Sequence, residues 1–345
     1  MTSTFLQHLP PDLRTLRWRE HPLDGKLLLF DRDSGLNVLL EGDETADVRR
    51  IAPRTLLIAI TNVCNLTCHF CYRDQQLRSL WRYQTLLDFC REIDAWGVAE
   101  VAFGGGEPML FPRWAEFINE VYATTTLCLN FTTNGTLLTA DFLRAIHGKY
   151  GQIRVSLYDD NHWIETLALM HRCNARYGVN WLISPSELAG IEGKFIQLLA
   201  LGVRDFLLLS YKGSDPALHL TQEQTRQLSA FLNKVHHKLG NAVSLKLDIC
   251  WGNALPDVPR LFVSGDCGAG DDFLSITSDK YVKACSFAQT SVGFPFDTVA
   301  DLRQIWETQR HQRQAAIIGG CARLPDRGLK ENGANSAYIS VAAIQ

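Results

Sequence analysis

The feature that most limits the fold is an alternation of short apolar runs with longer amphipathic ones, sustained from about residue 55 to residue 240. The run TLLIAIT (55–61), bounded by Pro53 and Asn62, predicts a buried strand of the parallel type. Residues 79–96 place Leu80, Tyr83, Leu87 and Cys90 about one face and predict a helix. Strands are then predicted at 100–103, 127–132, 153–157, 179–184 and 205–210, with helices at 112–123, 139–149, 163–176, 192–201 and 221–239 between and after them. The last of these helices carries Leu228, Phe231, Leu232, Val235 and Leu239 on one stripe, and a further strand is predicted at 243–250. Such alternation implies βαβ units and a parallel sheet. Six units are too few for a closed eightfold barrel, which leaves a partial barrel or an open sheet. Ahead of them, residues 1–24 with Pro10, Pro11 and Pro22 read as an irregular lead-in, and 26–41 as a hairpin turning at 31–35. Residues 251–265 break the alternation and mark a boundary. Beyond them lie a second hairpin (273–277 and 281–284, turning on Ser278-Asp279-Lys280) and a helix at 299–313. The expected organisation is therefore a lead-in with a hairpin (1–54), an α/β partial barrel (55–250) and a small hairpin-plus-helix extension (251–345).

Ten cysteines are unusual for such a chain, and they cluster. The N-terminus has neither the basic segment nor the apolar segment of a secretory signal, so a cytoplasmic protein with reduced thiols is expected. Grouped cysteines there more often hold metal than form disulfides. Cys64, Cys68 and Cys71 have the spacing C-x3-C-x2-C and directly follow the first strand of the alternation, at the end where the loops of parallel barrels build their sites. Three thiolates on one tight loop can ligate three irons of a [4Fe–4S] cube and leave the fourth iron open to a substrate or cofactor. A structural zinc site prefers four closed ligands, commonly as CxxC pairs, and fits a lone triplet poorly. The net charge of −3 gives no basic nucleic-acid tract, and no run approaches the roughly 20 apolar residues of a membrane span.

The triplet, with the aromatic Phe70 ahead of its last cysteine, resembles the signature of radical S-adenosylmethionine (SAM) enzymes. Gly104-Gly105-Gly106-Glu107-Pro108, after the second strand, is similar to the GGEP segment of that family. Glycines there let backbone approach a ligand closely, and Glu107 supplies an acceptor for an ammonium group. Thr133-Asn134-Gly135 closes the third strand, as a turn does in many members, or is simply a good turn. Ser156, near the end of the fourth strand, resembles the serine that contacts the SAM ribose or carboxylate, or is an ordinary strand-end serine. The resemblance covers about 55–250 and implies a partial (β/α)6 barrel. It also implies SAM and a [4Fe–4S] cluster as cofactors, with Phe70, Gly105, Gly106, Glu107 and Ser156 about the SAM.

A second cysteine group agrees with a SPASM or twitch extension. Cys267 precedes the C-terminal hairpin and Cys285 follows it, with Lys280 where that pattern prefers glycine, and Cys321 lies further on. A full SPASM domain needs more cysteines than remain. The resemblance therefore implies one auxiliary [4Fe–4S] cluster held by Cys267, Cys285 and Cys321, with Cys250, another group or the substrate as fourth ligand; plain buried thiols are the alternative. Cys90, Cys128 and Cys173 read as packed thiols, and His69, His236 and His237 as local or solvated.

The resemblance implies reductive cleavage of SAM to a 5′-deoxyadenosyl radical that abstracts hydrogen from substrate, with the protein orienting the cofactor. Many members with such extensions modify ribosomally made peptides, so crosslinking of a precursor peptide is the leading expectation, with flavodoxin or ferredoxin as electron donor. A small metabolite is the second expectation, and a non-catalytic iron–sulfur or zinc protein the third. The 26–41 hairpin offers an edge for strand addition by a peptide. Strand parity puts Arg154, Ser156 and Tyr158 on one face, and Lys246, Asp248 and Cys250 on another, as candidate substrate contacts or as a solvated strand edge.

Overall fold

The computed structural model describes residues 4–255, 258, 268–288, 293–316 and 341–342. Strands β1 (Arg19–Leu23), β2 (Lys26–Phe30) and β3 (Asn37–Glu41) form an antiparallel sheet over a small core of Leu9, Leu27, Leu29 and Val38. The expected hairpin is thus present, and the lead-in ahead of it contains a strand. Pro22 sits in β1, whose outer side is a sheet edge, where a missing N–H costs no ladder bond.

The alternating stretch gives β4 (Thr55–Thr61), α1 (Tyr83–Trp96), β5 (Glu100–Gly105), α2 (Trp114–Thr124), β6 (Cys128–Thr133), α3 (Ala140–Ala145) and β7 (Ile153–Ser156). It continues through α4 (Trp163–Arg172), β8 (Tyr177–Leu182), α5 (Pro185–Ala189), α6 (Ile191–Ala200), β9 (Asp205–Leu209), α7 (Gln222–Leu239) and β10 (Ser244–Leu247). The extension supplies β11 (Phe273–Ile276), β12 (Tyr281–Lys283), β13 (Phe294–Pro295) and α8 (Val299–Ala316), and Val341–Ala342 (β14) pairs with β3. Strands β4 to β10 are parallel neighbours in chain order, and β11 adds in parallel to the other side of β4. The C-terminal hairpin β11–β12 therefore continues the barrel sheet, which runs β10-β9-β8-β7-β6-β5-β4-β11-β12-β13.

The pleat sorts this sheet into two faces. Leu56, Ile58, Val101, Phe103, Phe131, Val155, Trp181 and Phe206 alternate onto the helix-covered face and are fully buried. Intervening residues such as Ala102, Asn130, Arg154, Asn180 and Lys246 take the opposite face in matching register. Phe117 of α2 anchors the helix layer, with ring centroids 5.8 Å from Phe103, 5.4 Å from Trp114 and 5.6 Å from Tyr83. At the N-terminal ends of the strands, Arg54 pairs with Asp272 (2.9 Å) and Glu100 (3.2 Å), and Arg50 with Asp272 (2.6 Å). Burial alone would raise the Asp272 carboxyl; Arg54 and Arg50 outweigh it and hold that group below its ordinary range.

Element ends differ from expectation where polar residues are used elsewhere. Helix α1 starts at Tyr83 rather than at 79, because the Ser79 hydroxyl accepts a bond from Asn62 N (2.8 Å) and the Leu80 N–H goes to Ser278 O (2.9 Å). Strand β10 stops at Leu247 because the Asp248 side chain caps a 3-10 turn, accepting from Cys250 N at 3.0 Å, so Cys250 is not on the strand face expected for it. Among the described residues no helix is long and apolar enough to cross a membrane.

Replacing Phe117 with Ala should cost about 3–5 kcal/mol in denaturant unfolding. Replacing Ile196, which is 64% exposed on α6, should change it by less than about 0.5 kcal/mol.

Candidate functional site

The site is built where the loops after β4, β5, β6 and β7 meet. The end of β5 docks by backbone onto the loop carrying the cysteine triplet: Gly106 N donates to Thr61 O (2.7 Å) and Glu107 N to Val63 O (2.9 Å). Gly105 has φ +110°, and a Cβ there would overlap the Thr61 carbonyl oxygen. A Cβ on Gly106 would overlap the Val63 carbonyl oxygen and stand 3.0 Å from Arg73 Nη1. Gly104 differs: a Cβ there would meet nothing within 4 Å. Open space thus lies beside the strand end, while its two following glycines are pressed against the loop.

Glu107, only 1% exposed, ties this contact to the next loop. Its Oε1 accepts from the Thr133 hydroxyl (2.6 Å) and Met109 N (3.1 Å), and its Oε2 accepts from Asn134 N (2.8 Å). Burial raises the carboxyl above its ordinary range despite these donors. The expected ammonium acceptor is thus a staple that already takes three donors from its own chain. The network extends both ways. Asn134 donates to Asn65 Oδ1 (2.9 Å), between the cysteines, and Asn65 to the Thr136 hydroxyl (2.8 Å). Asn161, fully buried, donates to Asn134 O and Ser156 O (both 2.6 Å) and accepts from Tyr158 N (3.2 Å). Sequence reasoning missed Asn65 and Asn161: the first lies inside the motif that drew attention to its cysteines, and the second sits in a loop without pattern.

Cys64 and Cys68 are half-buried and Cys71 is exposed, with Cys71 N bonded to Cys68 O (3.1 Å). The Cys68 thiol is pushed up to about 11 by burial and by the negative charge of Asp160, Cys71 and Cys64. Positive charge brought to Cys68, as a metal core would bring it, would offset that effect. Among the described residues no three His, Cys, Asp or Glu side chains are grouped about a single-ion site. Phe70 packs its ring 5.0 Å from Tyr158. Burial, and the nearby Cys68 and Cys71, raise the Tyr158 hydroxyl, which bonds with Ser156. Phe70, Ser156 and Tyr158 are thus brought to the cysteine loop.

The remaining candidates separate. Arg154 (2.6 Å) and Lys246 (2.6 Å) share the two oxygens of Asp205 near the N-terminal ends of their strands. Burial opposes ionisation of Asp205, but the two cations outweigh it and keep its carboxyl below the ordinary range. Asp248 pairs instead with Lys212 (2.9 Å) at the opposite strand ends. Asp205 and Lys212 were not singled out from sequence, where neither stands out from other strand-end charges. Cys285 receives Phe287 N (3.4 Å), and Phe287 packs 4.5 Å from Tyr72, the neighbour of Cys71. Burial, together with Asp248 and Cys285, pushes the Cys250 thiol up to about 12, so Cys250 and Cys285 lie within electrostatic reach. Cys267 and Cys321 lie outside the described residues. Cys90 and Cys128 are buried, as expected of packed thiols.

Two outcomes follow. Gly106→Ala should displace the cysteine loop and lower iron retention by at least half, while far-ultraviolet circular dichroism stays unchanged. Asp205→Asn leaves two cations facing no carboxylate. Because the folded carboxyl titrates below its ordinary value of about 4, the stability gap between wild type and variant should be full at neutral pH and shrink as the pH falls below about 4. A gap independent of pH would contradict the pairing.

A family model described as the radical SAM superfamily matches residues 58–161, from β4 past the end of β7. A probable GTP 3′,8-cyclase of Methanothermobacter marburgensis is 28% identical over 149 residues, 43% of this chain and 48% of that protein. The GTP 3′,8-cyclase of Chlorobaculum tepidum is 36% identical over 87 residues, 24% of this chain and 26% of that protein. The chain thus spans about half, or less, of the length of these curated relatives. Among solved structures, Streptococcus suis SuiB bound to S-adenosylmethionine superposes with a TM-score of 0.66 at 13% identity, over 84% of this chain and 86% of that one. The AdoMet-bound anSMEcpe superposes at 0.59 and 16% identity, over 76% and 82%. These likenesses are of fold. With the matched segment holding the cysteine loop and the glycine segment docked on it, residues 58–161 form a radical SAM domain.

Proposed function

We propose that the protein is an enzyme that cleaves SAM reductively and modifies a precursor peptide. The observation that carries this reading is the docking of Gly105 and Gly106 onto the triplet loop, which sets a potential ligand-binding backbone beside three thiols. Cys64, Cys68 and Cys71 would hold a [4Fe–4S] cluster. When bound, cluster and SAM supply a carbon radical able to take a hydrogen atom from substrate. The chain's own part is placement. The Gly104–Gly106 backbone offers room and polar groups for the amino-acid end of SAM; Glu107 fixes that backbone to the Thr133-Asn134 turn; Phe70, Ser156 and Tyr158 form an adjoining wall. On the face of Arg154 and Lys246, two cations share one carboxylate, which leaves a surplus positive charge for an anionic group of the substrate. Lys212 Nζ and Asp248 provide a partly buried ion pair at the strand ends nearest Cys250.

The peptide reading is supported by the fold shared with SuiB and anSMEcpe, whose solved structures include peptide-bound forms. It is also supported by the position of Cys285, joined to the triplet loop through Phe287 and Tyr72, where an auxiliary [4Fe–4S] cluster would sit. Cys250, Cys267, Cys285 and Cys321 are its proposed ligands, and a flavodoxin or ferredoxin the proposed electron donor. The second reading, a nucleotide substrate, is favoured by the sequence likeness to GTP 3′,8-cyclases.

Anaerobic reconstitution followed by dithionite and SAM should give 5′-deoxyadenosine. Iron and sulfide should amount to two cubane clusters and fall by half in the Cys64/Cys68/Cys71→Ala protein. Addition of GTP should not raise 5′-deoxyadenosine formation, whereas a peptide encoded beside the gene should. Stimulation by GTP alone would replace the peptide reading with the nucleotide one.

A further inference from the structure

Arg73 is the one arginine or lysine between residues 62 and 77, the stretch that contains the whole triplet. Its Nη1 donates to Asn62 O and to Asn62 Oδ1 (2.8 Å). Asn62 in turn donates through Nδ2 to Asp74 O (3.0 Å) and Leu77 O (2.8 Å), and its N–H is held by the Ser79 hydroxyl (2.8 Å). Asn62 and Arg73 therefore clasp the two ends of the cysteine loop together. The same guanidinium edge lies under the glycine segment, where a Cβ on Gly106 would be 3.0 Å from Nη1. Arg73 Nε is buried and has no hydrogen-bond partner among the described residues. A buried donor left unmade costs about 1–3 kcal/mol, so a guanidinium held in place on one edge with a free donor on another is suited to a further acceptor.

We propose that Arg73 is a ligand-binding residue: its free Nε–H and its charge take the carboxylate of the amino-acid end of SAM. This rests on the reading of the site as SAM-binding. Arginine suits the task, since its fork can bond Asn62 and a carboxylate at once. Asn62 shares in closing the loop but carries no charge, which allows the two roles to be separated.

The test compares Arg73→Met, Arg73→Lys and Asn62→Ala in anaerobically reconstituted protein. Iron content, SAM affinity by isothermal titration calorimetry on the oxidised holoprotein, and amide hydrogen exchange of residues 62–77 in the cluster-free protein are measured. Arg73→Met should keep its iron and bind SAM about tenfold or more weakly, the size of a lost charge-assisted hydrogen bond, and Arg73→Lys should recover part of that loss. Asn62→Ala should speed exchange across the loop yet weaken SAM binding by less than about threefold. Unchanged SAM affinity in Arg73→Met overturns the proposal. So does an equal loss in Arg73→Met and Asn62→Ala, which would mean that Arg73 acts through loop shape alone. If Arg73→Met loses iron, Arg73→Lys decides: iron and SAM binding retained support the proposal, and loss of both overturns it. Wild-type protein that holds iron but binds no SAM contradicts the proposed function instead.

Discussion

The site depends on a backbone contact in which side chains take no part. After β5 leaves the sheet, its last residues keep pairing with the chain that leaves β4, through Gly106 N to Thr61 O and Glu107 N to Val63 O. The two segments approach so closely that only glycine fits at 105 and 106. This sets the distance between the loop that carries three cysteines and the backbone that would bind what sits on them. The barrel supplies the rigid part of the arrangement, because β4 and β5 are parallel neighbours whose outward faces are locked by Phe103, Trp114 and Phe117.

A buried carboxylate extends that contact to two more loops. Glu107 cannot be left unbonded at 1% exposure, and the Thr133 hydroxyl with the Asn134 and Met109 amides answer it. Asn134 and Asn161 then carry the connection to Asn65 on one side and Ser156 on the other. Four strand-end loops are thereby held by amide and carboxylate side chains rather than by an apolar core. Such a network keeps the rim of the barrel ordered while leaving its lumen polar and open beside Gly104.

Much of this was legible in the sequence, for identifiable reasons. The strand–helix alternation is written in a period-2 and a period-3.6 pattern, and it located the barrel strands β4 to β9 to within about two residues; it missed the end of β10, where Asp248 intervenes, and the start of helix α1, where Ser79 does. The triplet and the glycine segment were legible because their chemistry depends on local spacing. Asp205, Asn161 and Arg73 were not, because their importance comes from partners 51, 27 and 11 residues away. Parity grouped Arg154 with its strand neighbours and Lys246 with others, and had no means of showing that a single carboxylate joins the two. The addition of β11 to β4, across more than 200 residues of chain, had no local signal either.

The central claim is that the three thiols and the glycine backbone form one binding site rather than two neighbouring features. Electron paramagnetic resonance of the dithionite-reduced, reconstituted protein tests it most directly. The account expects a [4Fe–4S] signal that disappears in the Cys64/Cys68/Cys71→Ala protein and changes shape when SAM is added to wild type. A reduced-cluster signal that depends on those cysteines but is indifferent to SAM would contradict it.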